Sequence, residues 1–492
     1  VVSPRLPLCV SVLVIGLSAG CADGDLCVPE ADSLRVVHVQ PPTRPGPDNS
    51  TVVDTFHTIQ SALDAVGGGR GRATVCVADG TYYEELVVPA DTHLVAAGAV
   101  RVRPPQTRET ALPTDVDRVL LTLESGIDGP IVIDGLDVRR GGLCIDATGD
   151  GEALLRDMTV VDCAVGLRGR GGVSLTLHEL TLDDHSIRAI DLVASSLRTE
   201  SRTTMLRNGR PALGHEQTEL TVLSSELSWT EDLASGRGTI IAVDSDVTLD
   251  NTSIDESEYE RAVVHVTGGS LSLRGVQIGA QRSADNMEGF VAGESGGDGP
   301  IITARDASVV VDGLRARSEG QGLFALVGSS LVAHNVDWSG RGPTTSDGAV
   351  GPALDVVDGG TVQLWHASLL GPQGAPGIRF SGSEVITLDF ANNVLWGHLD
   401  GEGFVVDGAQ PELDVRYSLV QDSTVTGAQM VPSADPLWDD APDGLLIPFG
   451  SPARCRGAGN LAVNADLLGN LRPFEPGKAP DLGAIELQEA CP

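Results

Sequence analysis

A short phrase recurs along the chain: an apolar residue, any residue, an apolar residue, two or three polar positions, then apolar, any, apolar. It reads "IVIDGLDV", "ALLRDMTV" and "SLTLHELTL", placing Leu136, Met158 and Leu180 at intervals of 22. The interval returns from Ile254 to Val276 in "VTLDNTSI" and "LSLRGVQI", and from Leu314 to Val336 in "VVVDGLRA" and "LVAHNVDW". Elsewhere it stretches, to 38 between Val276 and Leu314 and to 31 between Val336 and Ala367. With "LTVLSSELSW", "VQLWHASLL", "ITLDFANNVL" and "LDVRYSLV", the phrase predicts about eleven or twelve turns of one repeat.

Alternation at period two makes each copy a pair of short strands with a bend between them. Such a unit cannot bury its own apolar face, so it must stack on its neighbours. Coils of 22 or more residues with uneven insertions predict an all-β, right-handed parallel β-helix, whereas strict hexapeptides would mean the left-handed kind. At about 4.8 Å per rung the rod would be roughly 50 to 60 Å long. A β-sandwich does not account for a phrase repeated so often.

The flanks differ. Thr58 can N-cap a short helix with Ile59, Leu63 and Val66 on one face and Gly67 to Gly69 at its end. "ATVCVADGTYYEELVV" follows as two strands around Asp79-Gly80. The expected organisation is a lipoprotein signal peptide over 1–20 and a Pro-rich tether over 21–52, containing "QPPTRPGPDNST". An N-terminal cap over 53–100, the β-helix over 101–430 and a closing segment over 431–492 follow.

Composition narrows the partners. At 492 residues and 41% hydrophobic content the chain exceeds one compact core, which an elongated single domain resolves. Asp plus Glu number 68 against 33 Lys plus Arg, for a net charge of −35. Nucleic acid and anionic membrane surfaces are therefore poor partners. Lys478 is the only lysine, and aromatics make up 3%, low for a protein that grips sugars by ring stacking.

Arg5 followed by an apolar run from Leu8 to Leu17 is too short for a membrane helix and suits a secretory signal. Ser18-Ala19-Gly20-Cys21 resembles the lipobox of bacterial lipoproteins, although Ser18 stands where Leu, Val or Ile is commoner. The resemblance implies acylation of Cys21, export, and an outer-membrane or cell-surface location, with the lipid as the sole membrane contact. Cys27, Cys76, Cys144, Cys163, Cys455 and Cys491 then remain, an even number that predicts disulfides in an exported chain. Fifteen connectivities are open. Position along the chain favours Cys27 with Cys76, Cys144 with Cys163, and Cys455 with Cys491. No CxxC spacing supports zinc.

Phe56-His57-Thr58-Ile59-Gln60, Ala62-Leu63 and Gly80-Thr81-Tyr82-Tyr83-Glu84 resemble the opening shared by pectin methylesterases and other right-handed β-helix proteins of the pectin-lyase-like superfamily. The resemblance implies that this stretch caps the open end of the helix. Ser451, Pro452, Gly457, Asp466, Gly469, Arg472, Asp481, Gly483, Ala484 and Glu486 match the closing segment of secreted bacterial β-helix repeat proteins. Arg454 and Cys455 replace the usual Ile and Asp there.

The catalytic signatures of that superfamily are thin. "CAVGLR", Cys163 to Arg168, stands where methylesterases read "QAVALR", with Cys163 in place of the Gln. Of the polygalacturonase signatures only Asp183-Asp184 is present. Stacking the 22-residue copies does align Arg140, Asp162 and Asp184, with Arg139, Val161 and Asp183 beside them and His185 next along the chain. An arginine beside stacked carboxylates could raise one carboxylate pKa for acid catalysis or hold Ca2+. The same column also reads as a solvated charge ladder, the reading favoured here. "GESGGDGP" reads as a loop, and Trp229, Trp338, Trp365 and Trp396 as packing residues. The expected function is a monomeric, non-catalytic surface rod without a cofactor, binding a polysaccharide or an envelope protein. The alternative is a secreted polysaccharide lyase, hydrolase or esterase using Arg140, Asp162, Asp183, Asp184 and His185.

Overall fold

The computed structural model describes residues 35–40 and those from 55 to 489 except for 68–70, 106–117, 127–128, 201–202, 207–212, 217–218, 224–225, 230–239, 257–262, 282–290, 293–299, 319–321, 341–350, 372–374, 399–401, 409–410, 422–425, 442–443, 460–462 and 475. Cys21, Cys27, Cys491 and the Pro-rich stretch from Pro41 to Thr51 lie outside them. The chain is a right-handed parallel β-helix whose coils each contribute strands to three faces. In the coil that starts at Ile131 these are 131–134, 136–139 and 143–149, and the next coil stacks on each in parallel register.

The 131–134 face is the most continuous. Fourteen successive parallel pairings join fifteen rungs of described residues, from Arg35–Val39 to Glu412–Arg416. The rod is thus longer than the repeated phrase indicates. Its first rung, Arg35–Val39, lies within the stretch read as a tether and pairs with Ala73–Val77. Alternate residues point inward, so Ala153, Leu175, Leu197, Leu220 and Val247 stack as one buried apolar column. Burial of such columns is the main stabilising term, about 25 cal/mol per Å2 of apolar surface removed from water.

The polar interruption in each phrase is a corner. Gly135, Asp157, Glu179, Asn251, Gly275, Gly313, Asn335, His366 and Asn392 all have φ between 48° and 86° at the bend between the 131–134 and 136–139 faces. Left-handed backbone favours Gly, Asn and Asp, which explains why those residues recur there. The anticipated register holds for Leu314 on Val336, Val276 on Leu314 and Val336 on Ala367. It fails at one place: Ile254 stacks on Ile278, two residues beyond Val276. A shift of two keeps every side chain on its own face, so apolar alternation does not register it.

The helix Ile59–Val66 closes the N-terminal end, burying Ile59, Ala62, Leu63 and Val66. Thr58 accepts from Ser61 N at 3.2 Å. Both carboxylate oxygens of Glu84 accept from the first-turn amides of Ile59 and Gln60, at 3.1 and 2.9 Å. Gln60 in turn accepts from Val87 N at 2.7 Å. The opening motif is therefore a structural knot joining the helix to the strands it covers.

Candidate functional site

The column anticipated on the rod's side forms, at the corner after the 136–139 face. Arg139, Val161 and Asp183 stack in register, and the amides of Arg140 and Asp162 donate to Val161 O and Asp183 O. Arg140 Nε lies 3.2 Å from Asp162 Oδ2, with both side chains partly in solvent. Asp184 is exposed and Asp183 half-buried. Arg140, Asp162 and Asp184 have φ of 65°, 62° and 58°, so two of the three carry the residue type a left-handed corner prefers on backbone grounds alone.

His185 does not join them at the surface. Its ring is buried beneath Gly166, with Nδ1 3.4 Å from the Cys163 amide that donates to it. Burial pushes its pKa down to about 4, so the ring is neutral near neutral pH. The neighbouring Cys163 is bonded to Cys144, with Cα atoms 6.0 Å apart, the pairing expected from position. Cys76 and Cys455 are also in disulfides. The carboxylates and the imidazole of the column thus occupy different sides of the wall.

Two other clusters were not anticipated. On the 143–149 face Asp146, Arg168 and Asp191 stack across three coils. Arg168 donates to both oxygens of Asp146, at 3.1 and 2.9 Å, and Arg170 adds a bond of 2.6 Å. Asp146 is almost fully buried, so a charge-assisted network of this kind fixes coil against coil. The last residue of "CAVGLR" is thus a cross-rung strut. The 22-residue step from Asp146 to Arg168 was the signal in the sequence. At the Asp157 and Glu179 corner, donor atoms of Asp157, His178 and Glu179 lie within 4.8 Å of one another, a spacing a divalent cation could bridge.

The closing motif is structural as well. It lies along the corner column rather than across the end of the rod. Asn335 donates to Ala465 O at 3.0 Å, His366 meets Arg472, and Asn392 accepts from Ala458 N at 2.6 Å. Asp466 accepts from Leu468, Asn470 and Glu486 amides, Asp481 from Cys455 and Leu487, and Glu486 from Phe474 and Asp481. Burial raises the pKa values of Asp481 and Glu486. Every acid of the motif is thereby a backbone staple. Of the tryptophans, Trp338 is in the core, Trp396 packs against a small apolar cluster that includes Val394, Leu419 and Leu482, and Trp365 stacks on His334 with centroids 5.1 Å apart. The side chain of Trp229 lies outside the described residues.

No known family profile matches the chain, and no curated protein does. Three solved structures are similar in the path of the chain. Pectate lyase Pel9A covers 92% of this chain and 97% of its own, at 13% identity and a TM-score of 0.29. The catalytic domain of a GH87 alpha-1,3-glucanase in complex with tetrasaccharides covers 79% and 70%, at 9% identity and 0.36. The catalytic unit of the thermostable GH87 alpha-1,3-glucanase from Streptomyces thermodiastaticus strain HF3-3 covers 72% and 64%, at 12% and 0.34. The parallel three-faced topology is what identifies the fold. The chain has a right-handed parallel β-helix fold. Likeness at this level says nothing of its chemistry.

Proposed function

We propose that the chain is a non-catalytic rod that displays its faces at the cell surface and binds a glycan or another envelope component. One observation carries this reading: three of the five groups the catalytic alternative relies on, Arg140, Asp162 and His185, are engaged within the fold. The Arg140 guanidinium is paired with Asp162, and the His185 imidazole is buried under Gly166. General acid-base work needs a titratable group within reach of a reacting atom, and His185 is enclosed. The raised carboxylates Asp481 and Glu486 are engaged by backbone amides of the closing segment.

The reading includes export and a lipid on Cys21, a residue outside the described part of the chain. Replacing Cys21 with Ser should move the protein from the membrane fraction into the soluble one. A wild-type protein already wholly soluble in the exporting cell would refute the anchor. The ligand is addressed by a glycan array probed with the intact rod.

A further inference from the structure

The two ends of the rod are finished differently. At the N-terminal end the helix Ile59–Val66 packs over the first strands. At the other end, Phe404–Gly408 pairs with Ile378–Gly382, and Glu412–Arg416 with Ile386–Ala391. Among the described residues no strand pairs with the far side of Phe404–Gly408 or of Glu412 to Asp414, whereas Arg416 forms a parallel bridge with Ala428, whose amide donates to Val415 O. The third edge is also partly covered, where Tyr417 N donates to Ala428 O and Val431 N to Ser418 O.

Two inward positions of these last strands, Val406 and Leu413, remain apolar but lose their cover, while Val415 stays buried. Val406 continues the line of Phe380, and Leu413 the line of Leu388, both lower partners being fully buried. Val406 is 39% exposed and Leu413 43%. Open edges with an apolar inner line are templates for strand addition.

We propose that this end accepts an added β-strand from a partner protein in which apolar and basic residues alternate. The charge pattern selects that chemistry. Exposed Glu402, Asp407, Glu412 and Asp414 lie on or beside the two edges, against Arg416, which is already paired with Asp389 and Asp414. A second copy approaching end to end would set these carboxylates against their own images, and one approaching head to tail would meet the N-terminal helix. A partner strand with arginine or lysine at its outward positions meets the carboxylates while its inward residues cover Val406 or Leu413. The inference stands whether or not the sides of the rod bind a glycan.

The test uses the intact protein and labelled synthetic peptides that alternate valine with arginine, serine with arginine, or valine with glutamate. The valine–arginine peptide should bind and slow amide exchange in 404–408 or 412–414. Val406→Lys and Leu413→Lys, both at exposed positions, should together weaken it about tenfold or more. Equal binding of the serine–arginine peptide would reduce the effect to charge and overturn the proposal. Unchanged exchange at both edges would overturn it too.

Discussion

The buried guanidinium of Arg472 donates to Nδ1 of His366 at 2.6 Å, joining the closing segment to a corner residue 106 positions earlier. The same guanidinium donates to the carbonyls of Gly483 and Ala484 at 2.9 and 2.8 Å and lies 3.9 Å from Glu486. His366 Nε2 faces Asn392 Nδ2 at 3.0 Å, and Asn392 is held in that orientation by the amide and carbonyl of Ala458. A guanidinium can only donate, so Nδ1 is the unprotonated nitrogen of His366, and the ring is neutral with its proton on Nε2.

Removing the cation should undock the segment. Arg472→Met leaves Glu486, the two carbonyls and His366 without their common partner, a loss of roughly 3 to 5 kcal/mol for a broken buried pair. We expect new protease cleavage within 451–489 while the far-ultraviolet spectrum of the rod is kept. Unchanged resistance to proteolysis would show that the segment is held by something else.

Stability should fall as the solution is acidified. Burial lowers His185 and His398 to about 4, and burial followed by the Arg472 charge takes His366 well below 6.5. The unfolded chain then takes up these protons first, so stability is full above about pH 6.5 and drains away below it. Each of the first two groups costs roughly 3 kcal/mol by the time pH reaches its folded value. Asp481 and Glu486, raised by burial, act in the opposite sense, because the folded state takes up their protons first. The imidazoles outweigh them in the upper part of the range, so the urea midpoint should be lower near pH 5 than near pH 7.5. A higher midpoint near pH 5 would contradict this balance.

The repeat, the capping helix and the Cys144–Cys163 staple were legible because each depends on local alternation, a cap residue or spacing. The register at Ile254 was not, since sliding to Ile278 leaves the same residues inward. His185 was misplaced for a different reason: it follows Asp183 and Asp184 at a corner, where one residue's advance turns the side chain from solvent into the wall. The role of Arg472 depends on Asn335, His366 and Asn392, more than 70 residues away, and nothing local marks that contact. Asp146 and Arg168 were one coil apart and could have been paired by the same stacking that aligned Arg140 with Asp162.

The corner reading of the candidate column separates two substitutions at one residue. Asp162 has φ of 62°, a conformation glycine adopts freely and valine resists. Asp162→Gly should lose only a partly exposed ion pair, at most about 1 kcal/mol. Asp162→Val should cost roughly 1 to 2 kcal/mol more, read as the difference in urea midpoints. Equal effects would mean that the side chain, not the backbone, decides the residue there.

The most direct test of the account is an assay of purified wild-type protein on polygalacturonate and alginate, with and without millimolar Ca2+, following unsaturated products and new reducing ends. The account predicts neither, because Arg140 and Asp162 are paired to each other and His185 is inside the wall. Turnover that disappears in Asp162→Ala or Asp184→Ala would contradict it and make the corner column an active site.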